Sequence, residues 1–256
     1  MKNIIAIIPA RIDSSRFPGK PMAPINGIPM IGHCYYRTKM CNDLSDTYVA
    51  TCDKEIHDYI QSIGGKSIMT SDSHERASDR VAEAMIKIER DNNIEIDIVV
   101  MVQGDEPMIT PKMISDSIRP FEEIKHLEVV NMMAKMTDVR DFEDPNEVKV
   151  VVDNSNYAIY FSREPIPSRK KGFSSVPMFK QVCIIPFTRE GLLKFNDTPE
   201  TQLEKIESVD MLRLLENGDP VYMVETEEIT FSVDTEDDRK RVEEYMQDDA
   251  LLRTYK

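Results

Sequence analysis

Between Asn3 and Pro9 the chain places five apolar residues in a row, Ile4-Ile5-Ala6-Ile7-Ile8. A strand with one solvated face alternates apolar and polar side chains, whereas a strand covered by helices on both faces is apolar throughout. The run is far shorter than the ~18 residues of a membrane span, and it leads into a basic loop rather than a signal-peptide cleavage site. It predicts a central strand of an α/β sheet.

The first half of the chain keeps that rhythm. Met30, Ile31, Cys34, Tyr35 and Thr38 recur at helical spacing, Thr47 to Thr51 reads as a strand, and Lys54 to Ile63 as a helix stopped by Gly64-Gly65. Lys66 to Met69 is a short strand, Ala77 to Arg90 carries Val81, Ala84, Met85 and Ile88 on one helical stripe, Ile96 to Val102 is a buried strand and Pro111 to Phe121 a helix. Strands alternating with helices predict an α/β fold: an open, mostly parallel, Rossmann-like sheet flanked by helices, with ligands at the carboxyl ends of its strands.

The rhythm breaks afterwards. Glu147 to Val152 and Tyr157 to Ser162 flank the turn-forming Asp153-Asn154-Ser155-Asn156 and predict a hairpin. Pro165 to Pro177 reads as a loop, Gln181 to Phe187 as a strand, Glu200 to Glu216 and Thr235 to Gln247 as helices. One domain over residues 1–256 is expected, with a hairpin-bearing excursion at about residues 130 to 200.

The net charge of −14 opposes general attraction to nucleic acid or anionic membranes. Cys34, Cys41, Cys52 and Cys183 lack CxxC spacing, so neither a zinc site nor a disulfide framework is expected, and a cytoplasmic chain is. The sixteen methionines follow no helical register and read as core filling.

In so acidic a chain, Arg11, Arg16 and Lys20 on the loop after the first strand are notable. Cations at a strand's carboxyl end suit a triphosphate; the alternative is a solvated basic turn. A P-loop is excluded, because Gly19-Lys20 is followed by Pro21 and not by Ser or Thr entering a helix. Asp105, in Gln103-Gly104-Asp105 after the fourth strand, is either a magnesium ligand or a turn former, and Asp234 either a second ligand or a helix cap. Together these residues are the inventory for a metal-bound nucleoside triphosphate.

The strings IPAR-x4-RFPGKP, NG-x-PMI, VAT-x-D, VQGDEP, VKVVVD, YFSR-x-x-IP and VDT-x-D, in this order from Ile4 to about Val242, resemble the 3-deoxy-manno-octulosonate (Kdo) cytidylyltransferases. The resemblance implies a nucleotidyltransferase fold, transfer of CMP from CTP to an acidic sugar with release of pyrophosphate, two-metal magnesium chemistry and a homodimer formed through the hairpin-bearing lobe. It implies that Arg11 and Lys20 bind triphosphate oxygens with Arg16 nearby, and that Pro9 and Ala10 offer backbone to the cytosine. Ser78 and Arg80 contact the nucleotide, Gln103 the ribose or acceptor, and Asp105 and Asp234 the magnesium ions. His74 matches a histidine of that family and is given a minor role; His33, His57 and His126 read as ordinary residues.

Departures from the family pattern fall on the acceptor side. Gln181-Val182-Cys183-Ile184-Ile185 stands for His-Leu-Gly-Ile-Tyr, Val209-Asp210-Met211-Leu212-Arg213 for Leu-Glu-Gln-Leu-Arg, and Arg76-Ala77-Ser78-Asp79-Arg80 for Ser-Gly-Thr-Glu-Arg. An acceptor pocket of Arg163, Gln181, Asp210 and Arg213 beside Gln103 is expected, in which Arg163 or Arg213 clamps the carboxylate. The acceptor is expected to be Kdo or a modified ulosonate, and the changed contacts predict that the modified acid is turned over better. Two other readings remain: a metal-dependent glycosyltransferase, disfavoured because no Asp-x-Asp pair ends the fourth strand, and a non-catalytic CTP sensor.

Overall fold

The computed structural model describes residues 2–13, 17–170 and 176–256. Two compact units divide the chain, Met1–Ser115 with Ile229–Lys256, and Asp116–Glu228.

The apolar run forms β1 (Ile4–Ala10), buried along its whole length. A 3-10 turn at Lys20–Met22 leads to β2 (Pro24–Ile25) and β3 (Ile28–Pro29), an antiparallel pair whose turn residues Asn26 and Gly27 have φ of 49° and 86°. Asn-Gly tolerates the positive φ that such a tight hairpin requires. Then follow α1 (Met30–Lys39), β4 (Asp46–Thr51), α2 (Lys54–Ser62), β5 (Ser67–Met69), α3 (Ala77–Asn92), β6 (Ile98–Val102) and α4 (Pro111–Ile118). β1 pairs in parallel with both β4 and β6, and β4 in parallel with β5. The order β6-β1-β4-β5 makes β1 central, as its sequence requires.

The helix expected over Pro111 to Phe121 is two, because Pro120 cannot continue α4 and instead opens α5 (Pro120–Glu123). The second unit continues with β7 (Val130–Lys135), α6 (Val139–Glu143), β8 (Lys149–Val152), β9 (Ala158–Ser162), β10 (Phe179–Val182), β11 (Ile184–Thr188), α7 (Arg189–Asp197), α8 (Gln202–Glu207), α9 (Met211–Glu216) and β12 (Tyr222–Thr226). Its mixed sheet runs β12-β7-β10-β8-β9, and β8 and β9 are the expected hairpin. The unit exceeds the expected 130 to 200 because β12, paired in parallel with β7, completes its sheet. The strand expected over Gln181 to Phe187 is interrupted at Cys183, and the helix over Glu200 to Glu216 at Ser208, which takes a left-handed φ of 53°.

Back in the first unit, α10 (Glu236–Met246) and α11 (Leu252–Tyr255) follow. Val233, Val242, Met246 and Leu252 form one buried cluster with Ile25, Met30 and Met108.

Candidate active site

Lys20 follows Gly19, whose φ of 74° suits glycine, and the Gly19 N–H donates to the Ile12 carbonyl at 3.2 Å. That turn sends the Lys20 ammonium to two carboxylates, Asp105 at 2.8 Å and Asp234 at 3.2 Å. Burial alone lowers the Lys20 pKa; the two carboxylates outweigh it and hold the ammonium above the ordinary lysine value.

Backbone geometry brings the two aspartates together. A Cβ on Gly104 would lie 2.9 Å from the Pro9 carbonyl, so only glycine lets the end of β6 approach the end of β1 this closely. The Val233 N–H donates to the Asp105 carbonyl at 3.0 Å, which sets Asp234 beside Asp105. Asp234 is not the cap of α10: Thr235 is, in a capping box with Asp238, so the Asp234 carboxylate is left to face Lys20.

A cleft of about 300 Å³ opens at this rim, lined by Pro9, Ala10, Arg11, Asp13, Lys20, Pro21, His74, Glu75, Arg76, Ala77, Arg80, Gln103, Gly104 and Asp105. The carboxyl ends of β1 and β6 thus meet the segment that opens α3, where ligands of parallel sheets bind. Four basic side chains, Arg11, Lys20, Arg76 and Arg80, and three acidic ones, Asp13, Glu75 and Asp105, line it, so cations outnumber carboxylates here although the chain as a whole carries −14. Arg16 lies outside the described residues.

Pro9, Ala10, Arg11, Lys20, Gln103 and Asp105 come together in the cleft as expected, with Asp234 adjoining through Lys20. Two of the residues expected to contact the nucleotide lie deeper in the wall. Ser78 is wholly buried in the first turn of α3 and is absent from the cleft lining. Arg80 does line the cleft, but it is only 3% exposed, and its guanidinium donates to the Thr70 hydroxyl at 2.5 Å, the Ser71 carbonyl at 3.1 Å and the His74 carbonyl at 3.4 Å. Those bonds hold the segment 70–74 against α3.

In the second unit Arg213 is likewise internal. Its Nε and Nη2 donate to both oxygens of the fully buried Glu204 at 2.9 and 2.6 Å, and its Nη1 to the Phe195 and Thr198 carbonyls, each at 3.1 Å. With four of its five N–H groups bound inside the unit and only 3% of its surface exposed, its guanidinium faces Glu204 rather than solvent. Arg163 donates to the Glu207, Pro145 and Ser208 carbonyls at 2.6, 2.9 and 3.3 Å, which leaves part of its five-donor fork to a ligand. Gln181 gives one amide N–H to the Oδ1 of the buried Asn131 at 2.6 Å, which leaves its second N–H and its amide oxygen for a ligand, and Asp210 precedes α9.

Two positions escaped sequence reasoning. Asp53 accepts from the Ile12 N–H at 2.7 Å and so pins the loop that follows Arg11. Glu83 binds the segment carrying His74. A carboxylate on a charged helix looks like solvated surface, and only its partners distinguish it.

Among the described residues no three carboxylate, imidazole or thiolate side chains gather into a metal cage. Magnesium needs no such cage, since it takes one or two carboxylates and completes its shell with phosphate and water oxygens. Asp105 and Asp234, already converging on one cation, fit that requirement.

A cytidylyltransferase family model matches residues 5–229. The 3-deoxy-manno-octulosonate cytidylyltransferase of Trichlorobacter lovleyi is 42% identical, covering 95% of this chain and 98% of its own. That of Geobacter sulfurreducens is 40% identical over 94% and 98%. A solved CMP:2-keto-3-deoxy-manno-octonic acid synthetase complexed with CTP superposes with a TM-score of 0.86 at 34% identity, over 96% of this chain and 98% of that one. A glucose-1-phosphate thymidylyltransferase structure from Bacillus anthracis, at 16% identity and a TM-score of 0.65, shares the fold.

Proposed function

The chain belongs to the cytidylyltransferase family, and on that premise we propose that it transfers CMP from CTP to a hydroxyl of Kdo, releasing pyrophosphate. The observation that carries this reading is the meeting of Lys20, Asp105 and Asp234 at the rim of a cleft that Arg11 and Arg76 also line.

In the transfer, an oxygen of the acceptor bonds to the α-phosphorus, the bond from that phosphorus to the β-phosphate oxygen breaks with release of pyrophosphate, and the hydroxyl proton passes to water. No covalent enzyme intermediate is needed, so the chain's task is positioning and charge compensation. Arg11 and Lys20 neutralise triphosphate oxygens. Pro9 and Ala10 face the cytosine with backbone, and Gln103 offers an amide to the ribose or the acceptor. Asp105 and Asp234 would hold magnesium, which would supply charge compensation for the phosphates and lower the pKa of a nearby hydroxyl. Of the second-unit residues, Arg163 keeps the carboxylate-binding role, with Gln181 and Asp210 contacting hydroxyls. The same reading makes the molecule a cytoplasmic homodimer, joined through the hairpin-bearing lobe, where Ile159 on β9 and Ile206 on α8 are 60% and 67% exposed.

Pyrophosphate release should be measured for each of the four nucleoside triphosphates against Kdo and amino-substituted ulosonates, with magnesium and with a chelator, on a sample whose mass is read by light scattering. CTP with Kdo should give the fastest release, abolished by the chelator, in a particle of twice the chain mass. Equal use of UTP or ATP would sink the assignment. CTP binding without release would make the protein a sensor, and faster release with an amino-substituted acid would move the acceptor to the modified ulosonate that Gln181 and Met211 first suggested.

A further inference from the structure

The segment 70–76, of which residues 74–76 line the cleft, is gripped by two side chains of α3. Arg80 and Glu83 stand three positions apart and share a helix face. Arg80 donates to the carbonyls of Ser71 and His74. Glu83 Oε2 accepts from the Ser71 N–H at 2.8 Å and meets His74 Nε2 at 2.5 Å, while its Oε1 pairs with Lys87 at 2.6 Å. Both backbone polar groups of Ser71, and both the ring and the carbonyl of His74, are therefore set from α3.

The chemistry of the pair fixes the ring. Partial burial raises the Glu83 carboxyl pKa, and the bonds from Lys87, Ser71 and His74 overcome this and hold it down to about 2, so Glu83 is an anion that only accepts. Nε2 of His74 consequently carries the proton and donates. Nδ1 is the ring nitrogen left for a ligand, on a residue that lines the cleft.

We propose that Glu83 is a positioning residue for the nucleotide, fixing the tautomer and direction of His74 so that the ring's other nitrogen hydrogen-bonds CTP. The inference rests on the cytidylyltransferase reading and adds to it a two-residue unit, one member touching the nucleotide and the other directing it.

A double-mutant cycle on the full chain tests this, with CTP affinity measured by calorimetry in the presence of magnesium and kcat and KM by pyrophosphate release. Two residues acting as a unit give strongly non-additive effects. His74→Ala and Glu83→Ala should each weaken CTP about tenfold, the worth of one hydrogen bond, and the double variant should be no worse than the weaker single. The acceptor KM should stay unchanged and kcat should fall by less than about threefold. Glu83→Gln keeps an oxygen that can accept from both Ser71 and His74 and should restore CTP affinity to within about threefold. Unchanged CTP affinity in either single variant overturns the inference, as does a double variant weakened about a hundredfold, or a fall in kcat and both substrate affinities together with the melting temperature. If the unsubstituted protein binds no CTP, the cytidylyltransferase reading falls too, a result separable from the others because it precedes any substitution.

Discussion

Lys20 owes its place to small neighbours rather than to its own length. Gly19 turns the chain at positive φ, Pro21 lies within the 3-10 turn that Lys20 opens, and Gly104 lets β6 close on Pro9 so that Asp105 arrives within 2.8 Å. Without the ammonium, two partly buried carboxylates face each other across a site meant for a polyanion. Lys20→Met keeps the stem and removes the charge. Its kcat/KM for CTP should fall about 10²–10³-fold, the usual loss when one preorganised electrostatic donor is taken from a phosphoryl or acyl transfer site. A loss below tenfold in steady-state pyrophosphate release would return the loop to a solvated basic turn.

Elements announced by an unbroken pattern were legible, and those ended by one unmarked residue were not. β1 and β6 are apolar throughout, and α2 ends before Gly64, so their reading needed no tertiary information. β7 reads Val-Asn-Met-Met-Ala-Lys, and its buried Asn131 looks like a turn residue until its side chain is seen donating to the Val182 carbonyl at 2.8 Å. The break between α8 and α9 at Ser208 carries neither glycine nor proline. At the site, strand-end residues were readable because chemistry and topology agreed, while Asp53, Glu83 and the internal role of Arg213 depend on partners 41, 12 and 9 positions away. Arg213 joins α9 to α8 through Glu204. Removing one partner of a buried pair leaves the other charge uncompensated and costs about 3–5 kcal/mol, whereas removing both is often neutral. Arg213→Met should therefore destabilise the protein by about that amount in chemical denaturation, and adding Glu204→Gln should recover most of it. Full stability of Arg213→Met with loss of acceptor use would reinstate the arginine as a carboxylate clamp.

At the scale of the molecule, the returning segment 229–256 does two jobs in one unit: it delivers Asp234 to the cleft and closes the core against β2, β3 and α1. Asn26 on the hairpin turn binds Glu243 of α10 at 2.8 and 3.0 Å, and Arg37 of α1 pairs with Asp249 and donates to the Tyr255 hydroxyl at 2.8 Å. Beside that hydroxyl lies His33, fully buried, with Nδ1 2.9 Å from it and Nε2 2.8 Å from the Ile25 carbonyl. A carbonyl only accepts, so Nε2 holds the proton. The Tyr255 hydroxyl already accepts from Arg37, so it gives its own proton to Nδ1. A neutral imidazole satisfies both partners, with Nε2–H on the Ile25 carbonyl and Nδ1 accepting from Tyr255. Burial pushes the His33 pKa down to about 4, with the Arg37 charge adding to the effect and the Ile25 bond opposing it. Below the unfolded value of about 6.5 the unfolded chain takes up a proton that the folded ring refuses, so stability rises with pH between about 4 and 6.5. The contribution is complete above 6.5, is lost as pH falls toward 4, and amounts to about 3 kcal/mol across that window. His33→Gln has no proton to take up there. Urea denaturation at intervals from pH 4 to pH 7 should show the free energy of unfolding of the unsubstituted protein climbing more steeply than that of the variant, by about that total. Parallel curves would mean that the C-terminal helix locks onto α1 without reference to the charge of His33.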